Sequence, residues 1–167
     1  MAGEVVVRRA RTPDVRAIRS LVEPMTESRR IVTKDAVAYY EAVHEFRVVE
    51  VDGEVVGCGA LHVMWEDLAE VRTVAVRPEL KGRGLGSAVL AELLQDARDL
   101  GVRRVFCLTF ETAFFRRHGF ERIDGQAVEP EVYAELLRSY DEGVAEFLDL
   151  ERVKPNTLGN TRMLLTL

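Results

Sequence analysis

The stretch Val71-Arg72-Thr73-Val74-Ala75-Val76-Arg77-Pro78-Glu79-Leu80-Lys81-Gly82-Arg83-Gly84-Leu85-Gly86-Ser87-Ala88-Val89-Leu90 decides the fold. It begins as an apolar, β-branched run that reads as a strand from Glu70 to Val76. Pro78 stops the strand, and Gly82, Gly84 and Gly86 make a loop that opens straight into a helix ending before Gly101. Leu85, Val89, Leu93, Ala97 and Leu100 give that helix one apolar face. At such a helix start the first backbone N–H groups have no intrahelical acceptor, and the helix dipole adds partial positive charge. Glycines let an anion approach the backbone closely, and Lys81 and Arg83 bring charge to the same place, so a pyrophosphate suits the loop. A nucleoside-triphosphate loop needs Gly-Lys-Ser/Thr, whereas Gly86 is followed by Ser87-Ala88; the three glycines also miss the G-x-G-x-x-G dinucleotide spacing.

Working outward, Val5–Arg9 reads as a strand, and Asp14 caps a helix through about Val22 on Val15, Ile18 and Val22. Thr33 is the expected cap of a second helix carrying Val37, Tyr40 and Val43. Phe46–Val51 and Val55–Val63 are strands joined by Asp52-Gly53, two residues that tolerate positive φ in a hairpin turn. Beyond the glycine loop come a strand at Arg104–Leu108, a short helix at Thr112–His118 and a strand at Phe120–Ile123. One helical stretch follows through Tyr133, Leu136, Leu137 and Tyr140, and the chain closes on the strand-like Met163-Leu164-Leu165. Strands and helices alternate without a regular doubly wound pattern, so the expected class is mixed α/β (α+β).

The 167 residues carry 23 Lys+Arg against 28 Asp+Glu, a net charge of −5, which argues against nucleic acid as the main partner. The acid is concentrated: residues 129–151 hold eight acidic side chains and one basic, Arg138, so the remainder of the chain is +2 and suited to receive anions. That acidic segment reads as a solvated helical face. No apolar run reaches the roughly 20 residues of a membrane span, and the N-terminus lacks the pattern of a signal peptide. Cys58 and Cys107 have no clustered partners, so neither a disulfide nor a metal site is expected, and the location is expected to be cytoplasmic.

The segment Val74-Ala75-Val76-Arg77-Pro78 followed by Lys81-x-x-Gly84-x-Gly86 resembles the coenzyme motif of the GNAT acetyltransferases, whose loop reads Arg/Gln-x-x-Gly-x-Gly/Ala; Lys81 is a departure that keeps the charge. Phe114-Phe115-Arg116-Arg117-His118-Gly119-Phe120 is similar to that family's later Phe-Tyr-x-x-x-Gly-Phe motif. The resemblance implies one GNAT domain over residues 1–167, a mixed central sheet with splayed strands flanked by helices, and acetyl-CoA as co-substrate without a metal. It places the pyrophosphate on Arg83–Ser87, with Lys81, Gly82, Gly84, Leu85 and Gly86 around it, and the pantetheine along the backbone of Val74, Ala75 and Val76, beside Phe115.

A narrower resemblance concerns the acceptor. Glu70–Val76, Leu108–Thr112 and Val153-Lys154-Pro155-Asn156-Thr157-Leu158-Gly159-Asn160-Thr161-Arg162-Met163 look like the short single-domain bacterial N-acetylglutamate synthases. The implied activity is acetylation of the α-amine of L-glutamate or L-glutamine, the first step of arginine biosynthesis, with no amino-acid-kinase domain and with a homodimer as the expected assembly. An α-ammonium must lose a proton before its nitrogen attacks a thioester, and Glu70 stands where the family places its general base. The backbone N–H near Val74 is implied to meet the oxyanion. Phe115 stands where many relatives have a proton-donating Tyr, leaving Tyr133, Tyr140 and Thr112 as unranked alternatives, or a thiolate that leaves unprotonated. Lys34, Arg72, Lys154, Asn156, Asn160, Thr161 and Arg162 are the residues the resemblance places around the acceptor, whose carboxylates call for cationic and neutral donors. Two other readings stay open: an acetyltransferase for another small amine or a protein N-terminus, and a silent acyl-CoA-binding regulator.

Overall fold

The computed structural model describes residues 3–27, 35–150 and 159–167. Its strands are β1 (Val5–Arg9), β2 (Phe46–Val51), β3 (Glu54–Trp65), β4 (Leu68–Val76), β5 (Arg104–Thr109), β6 (Glu121–Arg122) and β7 (Thr161–Thr166). The helices are α1 (Val15–Glu27), α2 (Ala36–Glu41), α3 (Leu85–Leu100), α4 (Thr112–Arg117), α5 (Pro130–Leu136) and α6 (Glu142–Phe147). Hydrogen bonding orders the strands β1-β2-β3-β4-β5-β7-β6. The β4–β5 ladder is parallel and the β1–β2, β2–β3, β5–β7 and β6–β7 ladders are antiparallel, so the sheet is mixed, as the sequence predicts.

The chain falls into two compact units, Met1–His62 with Val71–Leu100, and Val63–Glu70 with Gly101–Leu167. In the first, Val15, Ile18 and Val22 of α1 and Tyr39 of α2 pack on Phe46, Val48, Cys58, Ala60 and Ala75. Leu85, Val89, Leu90, Leu93, Leu94 and Ala97 are the buried side of α3. Gly59 keeps that contact close, because a Cβ there would lie 2.9 Å from both Val89 and Leu93. Arg47 on β2 donates to Asp96 on α3 at 2.8 and 2.6 Å, pinning helix to strand with a bidentate pair.

Asp14 precedes α1 as expected but acts differently from the expected cap: it is the third residue of a one-turn helix over Thr12–Asp14 whose cap position is Arg11, and its side chain reaches back to that residue. Its carboxylate accepts the Arg11 N–H at 2.7 Å and two bonds from the Arg8 guanidinium at 2.8 and 2.9 Å. The helix then runs past Val22 and through Pro24 to Glu27. Helix α2 starts at Ala36, directly after Asp35; the cap expected at Thr33 lies outside the described residues.

In the second unit the β4–β5 ladder pairs Leu68 with Arg104, Ala69 with Val105 and Glu70 with Phe106. β5 continues to Thr109, and along its whole length it pairs with β7, from Arg104↔Thr166 to Thr109↔Thr161. Met64, Leu68, Phe106, Leu136, Val144, Phe147 and Leu148 form the core of this unit. The single helical stretch expected after Gly125 is two short helices instead. Ser139 and Asp141 separate them: the Asp141 N–H donates to Ser139 Oγ at 3.1 Å, and Asp141 then caps α6 by accepting from the Val144 N–H at 2.9 Å. Leu136 is buried, whereas Leu137 is exposed and Tyr140 is fully exposed at 100%, so the apolar stripe read through all four residues breaks after Leu136.

Candidate active site

Two sets of residues carry the expected chemistry, one in each unit. In the first unit, β4 ends at Val76 and a short turn over Pro78–Leu80 leads to Lys81. Gly82 and Gly84 then take φ of +83° and +80°, a left-handed backbone that side chains disfavour. A Cβ at either would meet nothing within 4 Å, so the glycines answer a backbone demand and leave the loop open to an approaching group. The Ala88 N–H makes an early helical bond, to the Gly84 carbonyl at 3.0 Å. The N–H groups of Leu85 and Gly86 precede it, in the first turn of the helix, where backbone donors point outward from the helix start. Lys81, Gly82, Arg83 and Gly84 are exposed around that helix start. Such a helix start, with cationic side chains beside it, is suited to an anion.

The neighbouring strand has a local irregularity. Thr73 is buried, β-branched and not glycine, yet its φ is +59°. Its carbonyl accepts a long bond from the Cys58 thiol at 3.5 Å. The alternation of buried and half-buried side chains nonetheless continues through it, with Val71, Thr73 and Ala75 buried. Val74 and Val76 are half-buried, and the Ala75 side chain is taken up by the core, so only its backbone remains for a ligand. Leu85 is buried in the same way, and Arg72 is half-buried on β4.

In the second unit the decisive group is Glu70, a carboxyl side chain only 4% exposed at the end of the β4–β5 ladder. Two neighbours bear on it. Burial, with a smaller push from Glu70, holds the Cys107 thiol above its usual range, and burial holds the Arg162 guanidinium below its usual value against the opposing charges of Asp149 and Glu70. The Arg162 side chain leaves β7 opposite Leu108 and lies over two rings, 4.9 Å from the centroid of Phe106 and 5.7 Å from that of Phe147. Its Nη2 is buried with no hydrogen-bond partner among the described residues. Thr161 precedes it on β7, opposite Thr109, and Asn160 stands immediately before the strand; both are half-buried. Lys34, Lys154 and Asn156 lie outside the described residues.

Phe115 is 5% exposed, with its ring 5.1 Å from those of Phe114 and Phe120 in edge-on contacts. Thr109 sets up the start of this helix by accepting the Glu111 N–H at 2.8 Å. Phe106, Phe147 and Asp149 are the residues of this region that the sequence reading missed. Phe147 and Asp149 sit within the acidic stretch read only as a solvated face; the Val144, Phe147, Leu148 spacing was the available signal, diluted by the surrounding charge. Among the described residues no group of three or more His, Cys, Asp or Glu side chains is placed to hold a metal, and no helix is long and apolar enough to cross a membrane.

The model of the acetyltransferase (GNAT) family matches residues 15–120. The chain belongs to the GNAT acetyltransferase family. It is an N-acetyltransferase that uses acetyl-CoA as co-substrate. It is 59% identical over 165 residues to an amino-acid acetyltransferase of Mycobacterium tuberculosis, covering 97% of this chain and 94% of that one. An amino-acid acetyltransferase of Vibrio cholerae is 32% identical over 130 residues, but this chain spans only 29% of its length. The crystal structure of Rv2747 from Mycobacterium tuberculosis in complex with CoA and NLQ superposes on this acetyltransferase with a TM-score of 0.94 at 59% identity, over 97% of this chain and 99% of that one. The N-acetylglutamate synthase of Neisseria gonorrhoeae shares the fold, with a TM-score of 0.78 at 22% identity, over the whole of this chain and 36% of that one.

Proposed function

We propose that this acetyl-CoA-dependent amino-acid N-acetyltransferase acetylates the α-amine of L-glutamate, with L-glutamine as the alternative acceptor, and so performs the first step of arginine biosynthesis. The observation that carries the reading is the 59% identity, across nearly both chains, to an amino-acid acetyltransferase. The narrower choice of acceptor is supported by a buried carboxyl and a half-buried guanidinium in one unit, Glu70 and Arg162. An α-amino acid offers a proton to the first and a carboxylate to the second.

In this reading Glu70 takes one proton from the α-ammonium, through a water. The freed nitrogen attacks the thioester carbonyl, whose electron pair moves to oxygen and is met by the backbone N–H near Val74. Collapse re-forms the carbonyl and breaks the carbon–sulfur bond. The second nitrogen proton leaves as the amide forms, and the thiolate of coenzyme A takes up a proton on departure or in solvent. Phe115 has no proton to give, and an ordinary thiol titrates near pH ~8.5, so departure as thiolate is accessible. Lys81 and Gly82–Ser87 hold the pyrophosphate, Val74–Val76 the pantetheine beside Phe115, and Arg72, Asn160, Thr161 and Arg162 the acceptor, together with Lys34, Lys154 and Asn156. We further read residues 1–167 as one GNAT domain, cytoplasmic and homodimeric.

A panel of free amino acids, aminoglycosides and peptides, assayed with acetyl-CoA and a thiol-detecting reagent, tests the proposal. Thiol release with L-glutamate or L-glutamine, and none with the other classes, is the expected result. No release with any free amino acid would overturn it.

A further inference from the structure

We propose that α6 of the acidic segment is a built part of the acceptor site: its Phe147, with Phe106 of β5, seats the Arg162 guanidinium in an aromatic corner so that its buried Nη2 is kept for a carboxylate. The inference rests on the amino-acid acetyltransferase reading and adds a positioning residue to it, Phe147. It also gives α6, inside the acidic stretch, a buried role beside Arg162 in place of a solvated one.

The argument begins with the donor inventory of arginine. A guanidinium is planar, always charged here and carries five N–H donors at its edge, while its faces can only stack. Both rings lie within cation–π range of the Arg162 guanidinium carbon, at 4.9 and 5.7 Å. The rings themselves meet edge-on at 4.8 Å with an interplanar angle of 84°, so they form a corner rather than two parallel plates. Phe147 is fully buried and Phe106 likewise, which fixes that corner in the core of the unit. Stacking does not satisfy the edge, and Nη2 stays buried without a hydrogen-bond partner among the described residues. A buried charged donor left unmet is costly in a folded protein, and a bidentate acceptor is the group that removes the cost.

The charges around this corner narrow the ligand. Glu70 and Asp149 both act on Arg162 electrostatically, so a dianionic phosphate meets two like charges where a single carboxylate meets less repulsion. Phe106 and Phe147 are the rings beside Arg162, and Leu108 is its cross-strand partner. Glu70 is the cross-strand neighbour of Phe106, so the corner that holds Arg162 adjoins the expected base. An acceptor carrying both an amine and a carboxylate matches that adjacency.

The test uses the whole chain saturated with coenzyme A, titrated with glutarate, a dicarboxylate that has no amine to acetylate. The Nε–H resonance of Arg162 is assigned in a proton–nitrogen correlation spectrum by its disappearance in Arg162→Lys. Glutarate is expected to shift that resonance in the unaltered protein. Phe147→Leu, which keeps an apolar side chain and removes the ring face, is expected to weaken glutarate binding and raise the acceptor KM about 3- to 10-fold. The KM for acetyl-CoA should stay within about twofold, as expected for a group that touches only the acceptor end. An Arg162 resonance untouched by glutarate would overturn the proposal. So would a Phe147→Leu variant with unchanged acceptor KM, or one in which both KM values rise together. If Phe147→Leu does not fold, the titration of the unaltered protein against Arg162→Lys decides alone. Because glutarate is never acetylated, a protein that binds it at Arg162 but turns over no amino acid would sink the proposed function and leave this inference standing.

Discussion

Glu70 and Phe106 are cross-strand partners in the parallel ladder of β4 and β5, and the guanidinium of Arg162 lies 4.9 Å over that same Phe106 ring. A carboxyl, an aromatic face and a cation are thereby arranged by backbone pairing alone, on three neighbouring strands. In the proposed reaction the carboxyl takes the proton of an amine and the cation holds the carboxylate of the same acceptor.

Glu70→Gln keeps the size of the side chain, exchanges one acceptor oxygen for an NH2 donor and removes the base. The expected outcome is a fall in kcat at neutral pH of about 100-fold or more, with the KM for acetyl-CoA little changed. The rate should partly recover as pH rises through the acceptor amine's own pKa, because solvent then supplies the free amine. Steady-state kinetics across pH with L-glutamate checks this, and unaltered turnover at pH 7 would remove Glu70 from the reaction.

Gly84→Ala tests the loop through its backbone, since φ is +80° there and no neighbour would touch the added methyl group. Holding an alanine in the left-handed region costs about 1–2 kcal/mol, and any relaxation of the loop turns the α3 N–H groups away from the pyrophosphate. A lower Tm and a several-fold higher KM for acetyl-CoA are expected, with Gly84→Asn milder because asparagine tolerates this region better. Thermal denaturation and acetyl-CoA titration measure the two effects.

Asp14 links folding to acid. The hydrogen bond from the Arg8 guanidinium, chiefly, holds its carboxyl below the usual carboxylate range, against the opposing effect of burial. A carboxyl depressed in the folded state stabilises the fold above its unfolded pKa near ~3.9, and that contribution is lost as pH falls through the lower folded value. Denaturant unfolding from pH 7 to pH 2 should therefore show a steep acid loss that Asp14→Asn flattens, the variant being the less stable protein at pH 7. An unchanged slope in the variant would contradict the linkage.

The two cysteines bear on the assay itself. Cys58 and Cys107 are buried, and burial pushes the Cys58 thiol up to about 12 and raises the Cys107 thiol as well, where Glu70 adds to the effect. Thiolate is the reactive form, so the native protein should react with an aromatic disulfide reagent far more slowly than free coenzyme A. Fewer than two thiols should be counted in native protein over the time of a turnover assay, and two after denaturation. Rapid titration of both in the native state would refute the burial.

The sequence made the coenzyme half legible because its chemistry is local. Gly82, Gly84 and the start of α3 are contiguous, and their backbone demand is written in residue types that few other contexts need. The GNAT resemblance was legible for the same reason. The second unit was harder. Tyr133, Leu136, Leu137 and Tyr140 share a helical spacing, but Asp141 caps a new helix and the stripe breaks, since a cap outweighs periodicity over so short a stretch.

By itself, then, the sequence determined the strand–glycine–helix unit, the mixed α/β class and the acidic residue at position 70. Propensity, capping and positive-φ demands act over a few neighbouring residues and can be read in order along the chain. Only the tertiary structure decided that Phe106, Phe147 and Arg162 meet, and that Glu70 is buried beside them. Those contacts join residues far apart in the chain through the antiparallel β5–β7 ladder and the packing of α6, and no local preference encodes such a register.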